Sequence, residues 1–295
     1  MGSNHTFFLI ARIFIVCVLT VVLFTHCQND KEVSAELSQN KAPESRVQFS
    51  LVSERQSQID FSNIITETPE CNYLNFSPIY DGGGVAVGDI NNDGLSDIYF
   101  TGNQVGNKLY LNTGNMKFID ITESAGVAGG EGWHNGANIV DINGDGFLDI
   151  YVCRGGNIKD PKLRSNLLFI NNGDNTFSEE AKEYGLADTG YSFHSAFFDY
   201  DNDNDLDLYV INHPDKSSLQ IDAYLKGKKG GSSDSKDKLF ENKGNDKFVD
   251  VTFKSKLGYN YGFGLSVTTA DLDNNGYADI YVTNDYTDHD YMWMN

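Results

Sequence analysis

The chain has 295 residues, with 42 acidic against 22 basic side chains and a formal net charge of −20. That balance excludes the basic footprint a nucleic-acid partner requires. The length suffices for a sizeable core in one or two domains, and four cysteines are too few to define a disulfide framework.

Residues 1–27 read as an export segment. Phe7 to Phe24 is apolar apart from Arg12 and Thr20, and Ile13 to Phe24 is an uncharged run of 12 residues. A spanning helix needs about 20, so the run suits a secretory signal better. Cys27 follows it, ahead of the polar Gln28, Asn29 and Asp30, where a bacterial lipoprotein carries its lipid-modified cysteine. His26 and Phe24 stand where a small residue and a leucine are usual. The expectation is lipidation at Cys27 and attachment to the bacterial outer membrane or cell surface, with an uncleaved anchor or a secreted form as alternatives. The start Met1-Gly2 also fits a myristoylation pattern, a coincidence ahead of an export segment. Residues 28–60 read as a flexible tether, since Glu32 to Gln58 is polar, nearly free of aromatics and contains Pro43. Beyond the leader only Cys71 and Cys153 remain. Cys153 sits in an apolar strand and reads as a small hydrophobe, and a bridge between the two stays open.

From residue 61 onward one motif dominates. Asp89–Asp97, Asp141–Asp149, Asp199–Asp207 and Asp271–Asp279 carry oxygen side chains at positions 1, 3, 5 and 9. The candidate metal ligands are therefore Asp89, Asn91, Asp93 and Asp97; Asp141, Asn143, Asp145 and Asp149; Asp199, Asp201, Asp203 and Asp207; and Asp271, Asp273, Asn275 and Asp279. Position 7 (Leu95, Phe147, Asp205 and Tyr277) is expected to contribute its backbone carbonyl. Such spacing turns alternate side chains of a tight loop onto a hard cation, Ca²⁺ in about four sites. Position 6 is Gly94, Gly146, Asn204 and Gly276, residue types that accept the left-handed backbone the turn needs. A helix–loop–helix site would need Glu at position 12, where Phe100, Val152, Val210 and Val282 stand instead. The exits, Asp-Ile-Tyr or Asp-Leu-Tyr, are rich in strand formers. The loops hold 14 of the 42 acidic residues, so metal chemistry accounts for a third of the acidity. The third loop, with Asp at every side-chain ligand position, is expected to bind most tightly.

A strand precedes each loop, at Gly84–Gly88, Ala137–Val140, Ser195–Phe198 and Gly264–Thr268. A hairpin with a glycine turn follows three of them: Lys108–Asn112 with Lys117–Thr122, Leu167–Asn171 with Thr176–Glu180, and Lys238–Asn242 with Lys247–Thr252. The fold class is thus all-β, with four-stranded antiparallel blades of a β-propeller and the metal loop joining the first two strands. First strands rich in Gly, Ala and Ser suit the crowded centre of such a ring. Residues 61–295 hold about three complete blades and a fourth that stops in its hairpin at Tyr291–Asn295, so the rest of the propeller is expected to be missing from this chain.

These units resemble the FG-GAP/VCBS-type propeller repeat, whose strand–loop–strand calcium sites also occur in integrin α-subunits. The segment Asp81–Phe100 is similar to bacterial surface lipoproteins related to the cartilage acidic protein family. The likeness runs from about Phe61 to Asn295. It implies a seven-bladed ring, binding or adhesion at the cell surface, and no established catalytic residues. Asn204 in place of Gly and the Met292–Asn295 hairpin start depart from the pattern.

Three functions follow as expectations. The first is a surface-anchored, calcium-stabilised propeller that binds an extracellular glycan or protein ligand. The second is a calcium-dependent polysaccharide-degrading enzyme on the same scaffold, with His134, His194 and the lysine cluster of residues 213–237 as acid–base candidates that no motif links. The third is a structural subunit of an outer-membrane nutrient-uptake assembly. The insertion His213–Asp237, with Lys216, Lys226, Lys228, Lys229 and Lys236, offers a basic contact or a plain solvated loop. Trp133 and Tyr191 offer a sugar-stacking surface or buried packing at the blade entrances.

Overall fold

The computed structural model describes residues 49–214, 233–257, 260, 262–285 and 289–295. The leader, Cys27 and most of the tether lie outside the described residues. Val52–Asn295 forms one compact unit. No helix among the described residues is long and apolar enough to cross a membrane.

The unit is all-β and is built from propeller-blade sheets. The first sheet contains β1 (Val85–Gly88), β2 (Asp97–Phe100), β3 (Lys108–Asn112) and β4 (Phe118–Asp120). The second contains β5 (His134–Val140), β6 (Asp149–Arg154), β7 (Leu167–Asn171) and β8 (Phe177–Glu179). The third contains β9 (Ser192–Phe198), β10 (Asp207–Asn212), β11 (Lys238–Asn242) and β12 (Phe248–Asp250). The fourth contains β13 (Phe263–Ala270), β14 (Asp279–Asp285) and β15 (Tyr291–Trp293). Strands pair antiparallel in sequence order within every sheet. The acidic loop joins the first two strands each time, and the register is the same: Gly88 opposite Asp97, Val140 opposite Asp149, Phe198 opposite Asp207, Ala270 opposite Asp279.

The sheets stack face to face. Ile150 and Val152 of β6 point back onto the first sheet, beside Tyr99 and Leu109. Tyr151 and Cys153 of the same strand point forward to Leu208, Val210 and Phe240. Tyr209 and Ile211 repeat the forward step onto Ile280 and Val282. Strict alternation along β6 and β10 therefore buries both of their faces, whereas β2 and β14 keep one face partly exposed. Cys153 is buried and free, with Sγ 3.3 Å from Ser195 Oγ, and Cys71 is free and partly exposed.

Small residues on the first strands let the sheets converge. A Cβ at Gly84 would lie 2.6 Å from Asn135 O, and one at Gly136 would lie 2.9 Å from Phe193 O. The Gly84 N–H donates to Asn135 O at 3.0 Å, and Asn135 Nδ2 donates to Ser192 O at 2.7 Å. The first strands are thereby bonded to one another across three sheets.

Each sheet is also fastened by a tyrosine and an amide or acid that the strand pattern alone does not reveal. Asn107 and Asn166 donate to the hydroxyls of Tyr99 and Tyr151, both at 2.8 Å. Asp237 and Asp290 instead accept from Tyr209 and Tyr281, both at 2.9 Å. The Oδ1 atoms of all four accept the backbone N–H that closes the second strand, from Gly102, Arg154, Asn212 and Asn284. Buried hydroxyls and N–H groups need partners, and one side chain supplies both.

Three features differ from the sequence expectation. β5, β9 and β13 begin earlier than expected, so His134 and His194 lie inside strands instead of before them. One-turn helices, Thr122–Ala125 and Ala181–Tyr184, follow β4 and β8, too short for any hydrophobic period to betray. Residues just before the first sheet lie against it. Phe61 stacks on Phe100 with centroids 5.0 Å apart, Tyr110 donates to Asp60 at 2.6 Å, and Asn63 donates to Asn103 at 2.6 Å.

Candidate metal centres

The four loops are copies of one hydrogen-bonded turn. The position 1 carboxylate accepts the N–H groups of positions 5 and 6. These are Asp93 and Gly94 on Asp89, Asp145 and Gly146 on Asp141, Asp203 and Asn204 on Asp199, Asn275 and Gly276 on Asp271. Position 5 takes the N–H of position 7, from Leu95, Phe147, Asp205 and Tyr277. Position 6 has φ between 73° and 92°, Asn204 included. Position 4 is left-handed as well, at Asn92, Gly144, Asn202 and Asn274. The Asn/Gly run at that position signals this second left-handed residue, which the ligand spacing passes over.

Position 9 has a double task. Asp97, Asp149, Asp207 and Asp279 are almost wholly buried. One oxygen accepts the N–H of position 2, from Ile90, Ile142, Tyr200 and Leu272. The other accepts the N–H of Asn112, Asn171, Asn242 and Asn295, fixing the third strand to the loop. The loops also touch one another: Asn92 donates to Gly146 O and Asn202 to Gly276 O, both at 2.9 Å.

The turns are alike, but their charge is not. In the third loop, Asp199, Asp201 and Asp207 bring carboxylate oxygens within 4.8 Å of one another, and in the fourth Asp271, Asp273 and Asp279 do the same. In the first two loops Asn91 and Asn143 occupy position 3 and donate to Asp93 and Asp145 at 3.1 and 3.0 Å. Burial pushes Asp207 up to about 7, with Asp201 and Asp205 adding to the rise. Burial, with Asp145 and Asp141 beside it, takes Asp149 to about 6, and Asp97 is raised for the same reasons. The Lys243 ammonium is the cation that reaches Asp201 and Asp207, and it is bonded to Glu241. Asp201 Oδ1 and Asp205 Oδ1 are buried without any hydrogen-bond partner, an arrangement that is costly unless a proton or a cation answers it. Hard oxygen donors at this density suit Ca²⁺. The residues of the third loop fit such an ion, with the Asp205 carboxylate as well as its carbonyl available.

Other candidates fall elsewhere. Trp133 is 5 % exposed and packs edge-on against Phe76, which is buried packing and not a stacking platform. His134 is buried with Nδ1 3.1 Å from Gly102 O, and burial with the Arg154 charge lowers it to about 4. Burial also lowers His194. Lys216, Lys226, Lys228 and Lys229 lie outside the described residues.

The profile of the FG-GAP-like repeat matches residues 89–152, 160–210 and 230–282, each span starting at or ahead of a loop and ending within the strand after one. Cartilage acidic protein 1 of Xenopus tropicalis is 33 % identical over 135 residues, covering 45 % of this chain and 20 % of that protein. The Homo sapiens protein of the same name is 32 % identical over 141 residues, covering 47 % and 20 %. The chain thus spans about a fifth of the length of these relatives.

Proposed function

This chain belongs to the family of FG-GAP-like repeat proteins, and from that premise we propose that it is a calcium-stabilised binding or adhesion module displayed outside the cell. The observation that carries the calcium reading is the third loop, where the Asp199, Asp201 and Asp207 carboxylates converge and Asp201 Oδ1 and Asp205 Oδ1 stand buried and unpartnered. Ca²⁺ there takes Asp199, Asp201, Asp203 and Asp207 with the carbonyl of Asp205, and the fourth loop repeats the set through Asp271, Asp273, Asn275 and Asp279. The first two loops, with an amide at position 3, bind more weakly. Calcium neutralises the buried carboxylates and stiffens the loops that carry the third strands. Extracellular calcium modules bind at roughly 10⁻⁴–10⁻³ M, so millimolar calcium adds about 0.4–1.4 kcal/mol per site by mass action.

The ligand is an extracellular glycan or protein, held by a rigid scaffold with no acid–base pair in play. Export rests on the apolar segment before Cys27, and lipidation of Cys27 places the module on the bacterial surface. Calcium titration of the full chain by calorimetry tests the metal sites, and the expected result is about four sites with the tightest lost in Asp201→Asn. Arrays of glycans and matrix proteins, probed in calcium and in chelator, test the binding role. Capture that disappears in chelator supports it, whereas no calcium uptake by the folded chain overturns it. Fatty-acid labelling that persists in Cys27→Ala would refute the anchor.

A further inference from the structure

We propose that the metal loops work as two linked pairs, the first with the second and the third with the fourth, so that an ion in one loop tightens binding in its partner. Such linkage presupposes the calcium sites proposed above and makes them depend on one another. Two hydrogen-bonded paths carry it, and both end on metal ligands. The first path leaves from position 4. Asn202 stands between the ligands Asp201 and Asp203 and donates through Nδ2 to Gly276 O at 2.9 Å, while the Gly276 N–H donates to Asp271 Oδ2 at 2.9 Å. The second path leaves from position 2. Asp207 Oδ2 accepts the Tyr200 N–H at 3.0 Å, and Tyr200 O accepts from Asn295 Nδ2 at 2.5 Å. The Asn295 N–H then donates to Asp279 Oδ1 at 2.8 Å. Tyr200 and Asn295 alone separate the position 9 carboxylates of the two loops.

The first pair repeats both paths. Asn92 donates to Gly146 O at 2.9 Å, and the Gly146 N–H donates to Asp141 Oδ2 at 2.9 Å. Asp97 Oδ2 accepts the Ile90 N–H at 3.0 Å, Ile90 O accepts from Asn171 Nδ2 at 2.8 Å, and the Asn171 N–H donates to Asp149 Oδ1 at 2.8 Å. Between the second and third loops neither path exists among the described residues. Position 4 of the second loop is Gly144, which has no side chain to donate. Asn242, the counterpart of Asn171 and Asn295, donates through Nδ2 to Leu206 O of its own sheet at 3.4 Å. The two sheets still pack closely at this seam, through Tyr184, Leu186, Phe240 and Phe248. What is missing there is confined to the turns.

A turn that holds an ion is fixed in one shape, and a bond from turn to turn reaches full strength only when both are fixed. The ordering done by one ion is then not repeated for the partner loop. That is a positive coupling between two sites, and it is reciprocal. Across the seam between the second and third loops each turn orders alone. The third loop, richest in carboxylates, fills first and raises the affinity of the fourth, while the second loop gains nothing from it.

The test is a calcium titration of the full chain labelled with ¹⁵N-glycine and followed by NMR. The position 6 amides of Gly94, Gly146 and Gly276 report the first, second and fourth loops separately. Asp199→Ala empties the third loop, and it should move the Gly276 midpoint to calcium about fivefold higher or more, while the Gly146 midpoint stays in place. Asn202→Gly keeps every ligand, suits φ 61° and reproduces the residue at Gly144, and it should give part of the same shift at Gly276 alone. Gly144→Asn supplies the missing donor, at φ 73° and in open space, and should make Gly146 respond to Asp199→Ala. A Gly276 midpoint unmoved by Asp199→Ala, or a Gly146 midpoint that moves as far, overturns the pairing and leaves the calcium sites standing. No response of any of these glycines to calcium in the folded chain overturns the calcium sites, and the pairing with them.

Discussion

Substituting Gly84 by alanine isolates how closely the first strands approach. The residue is not in the left-handed region, so alanine suits its backbone, and the effect is steric. The added Cβ would lie 2.6 Å from Asn135 O, 2.9 Å from Ala137 N and 2.9 Å from Gly136 Cα, all backbone atoms that no side-chain rotation can move. The first two sheets must part, weakening the Gly84 N–H to Asn135 O bond of 3.0 Å that joins them. Overpacking of this kind costs about 1–3 kcal/mol, and the lower entropy of the unfolded alanine chain returns about 0.4–1. The net loss is about 1–2 kcal/mol, or about 2–8 °C in melting temperature for a unit of this size. Gly106→Ala is the matched control, because its Cβ meets nothing nearer than 4.0 Å. It should be neutral or slightly stabilising. Urea unfolding followed by tryptophan fluorescence measures both. Equal stability of Gly84→Ala and Gly106→Ala would refute the direct contact of β1 and β5.

Further outcomes follow from the same structure. Burial raises Asp237 to about 7, so the folded chain keeps a proton that the unfolded chain releases near pH 4. Its contribution is therefore full below about pH 4 and is lost as pH rises through about 7, by at most roughly 4 kcal/mol. Stability measured by urea titration from pH 4 to 8 should fall accordingly, and Asp237→Asn should flatten the slope. Asn166→Ala leaves the Arg154 N–H without its acceptor and takes one donor from the Tyr151 and Ser192 hydroxyls, which keep Leu186 O and Asn212 Oδ1, and should cost about 1–3 kcal/mol in urea unfolding. Asp201→Asn reproduces the residue of the first two loops and removes an unpartnered carboxylate oxygen. It should melt no lower than the parent in chelator and lower than the parent in calcium, as differential scanning fluorimetry can decide.

Much of this architecture is written in short-range pattern. Asp97-Ile-Tyr-Phe100 and its three copies carry the strand signal, and the 1-3-5-9 spacing marks where the chain reverses between strands. Asn204, a departure at position 6, still adopts φ 73°, because asparagine tolerates the left-handed turn. The fastening of Tyr99 by Asn107 was less legible. It depends on a residue one place before the hairpin strand, and its repeat as Asn166, Asp237 and Asp290 emerges only once the loops are aligned on one another. The position 9 aspartates read as ligands alone, since nothing local tells that each also ties the third strand through Asn112 or its equivalents. The contacts of Asp60, Phe61 and Asn63 with the first sheet had no sequence period at all, being single side chains meeting partners about 40 or 50 residues away. Local hydrogen-bond geometry is encoded by spacing, whereas such tertiary contacts depend on where the whole sheet lies.

The central claim is that the acidic loops are calcium sites that hold the sheets together. It is tested most directly by the melting temperature of the chain without its leader, residues 28–295, in millimolar calcium and in chelator. Four sites at about 0.4–1.4 kcal/mol each give roughly 2–6 kcal/mol, and about 2–4 °C per kcal/mol predicts a rise of several degrees at least. A cooperative melt at the same temperature in both buffers would contradict it, and would reduce the four loops to hydrogen-bonded turns.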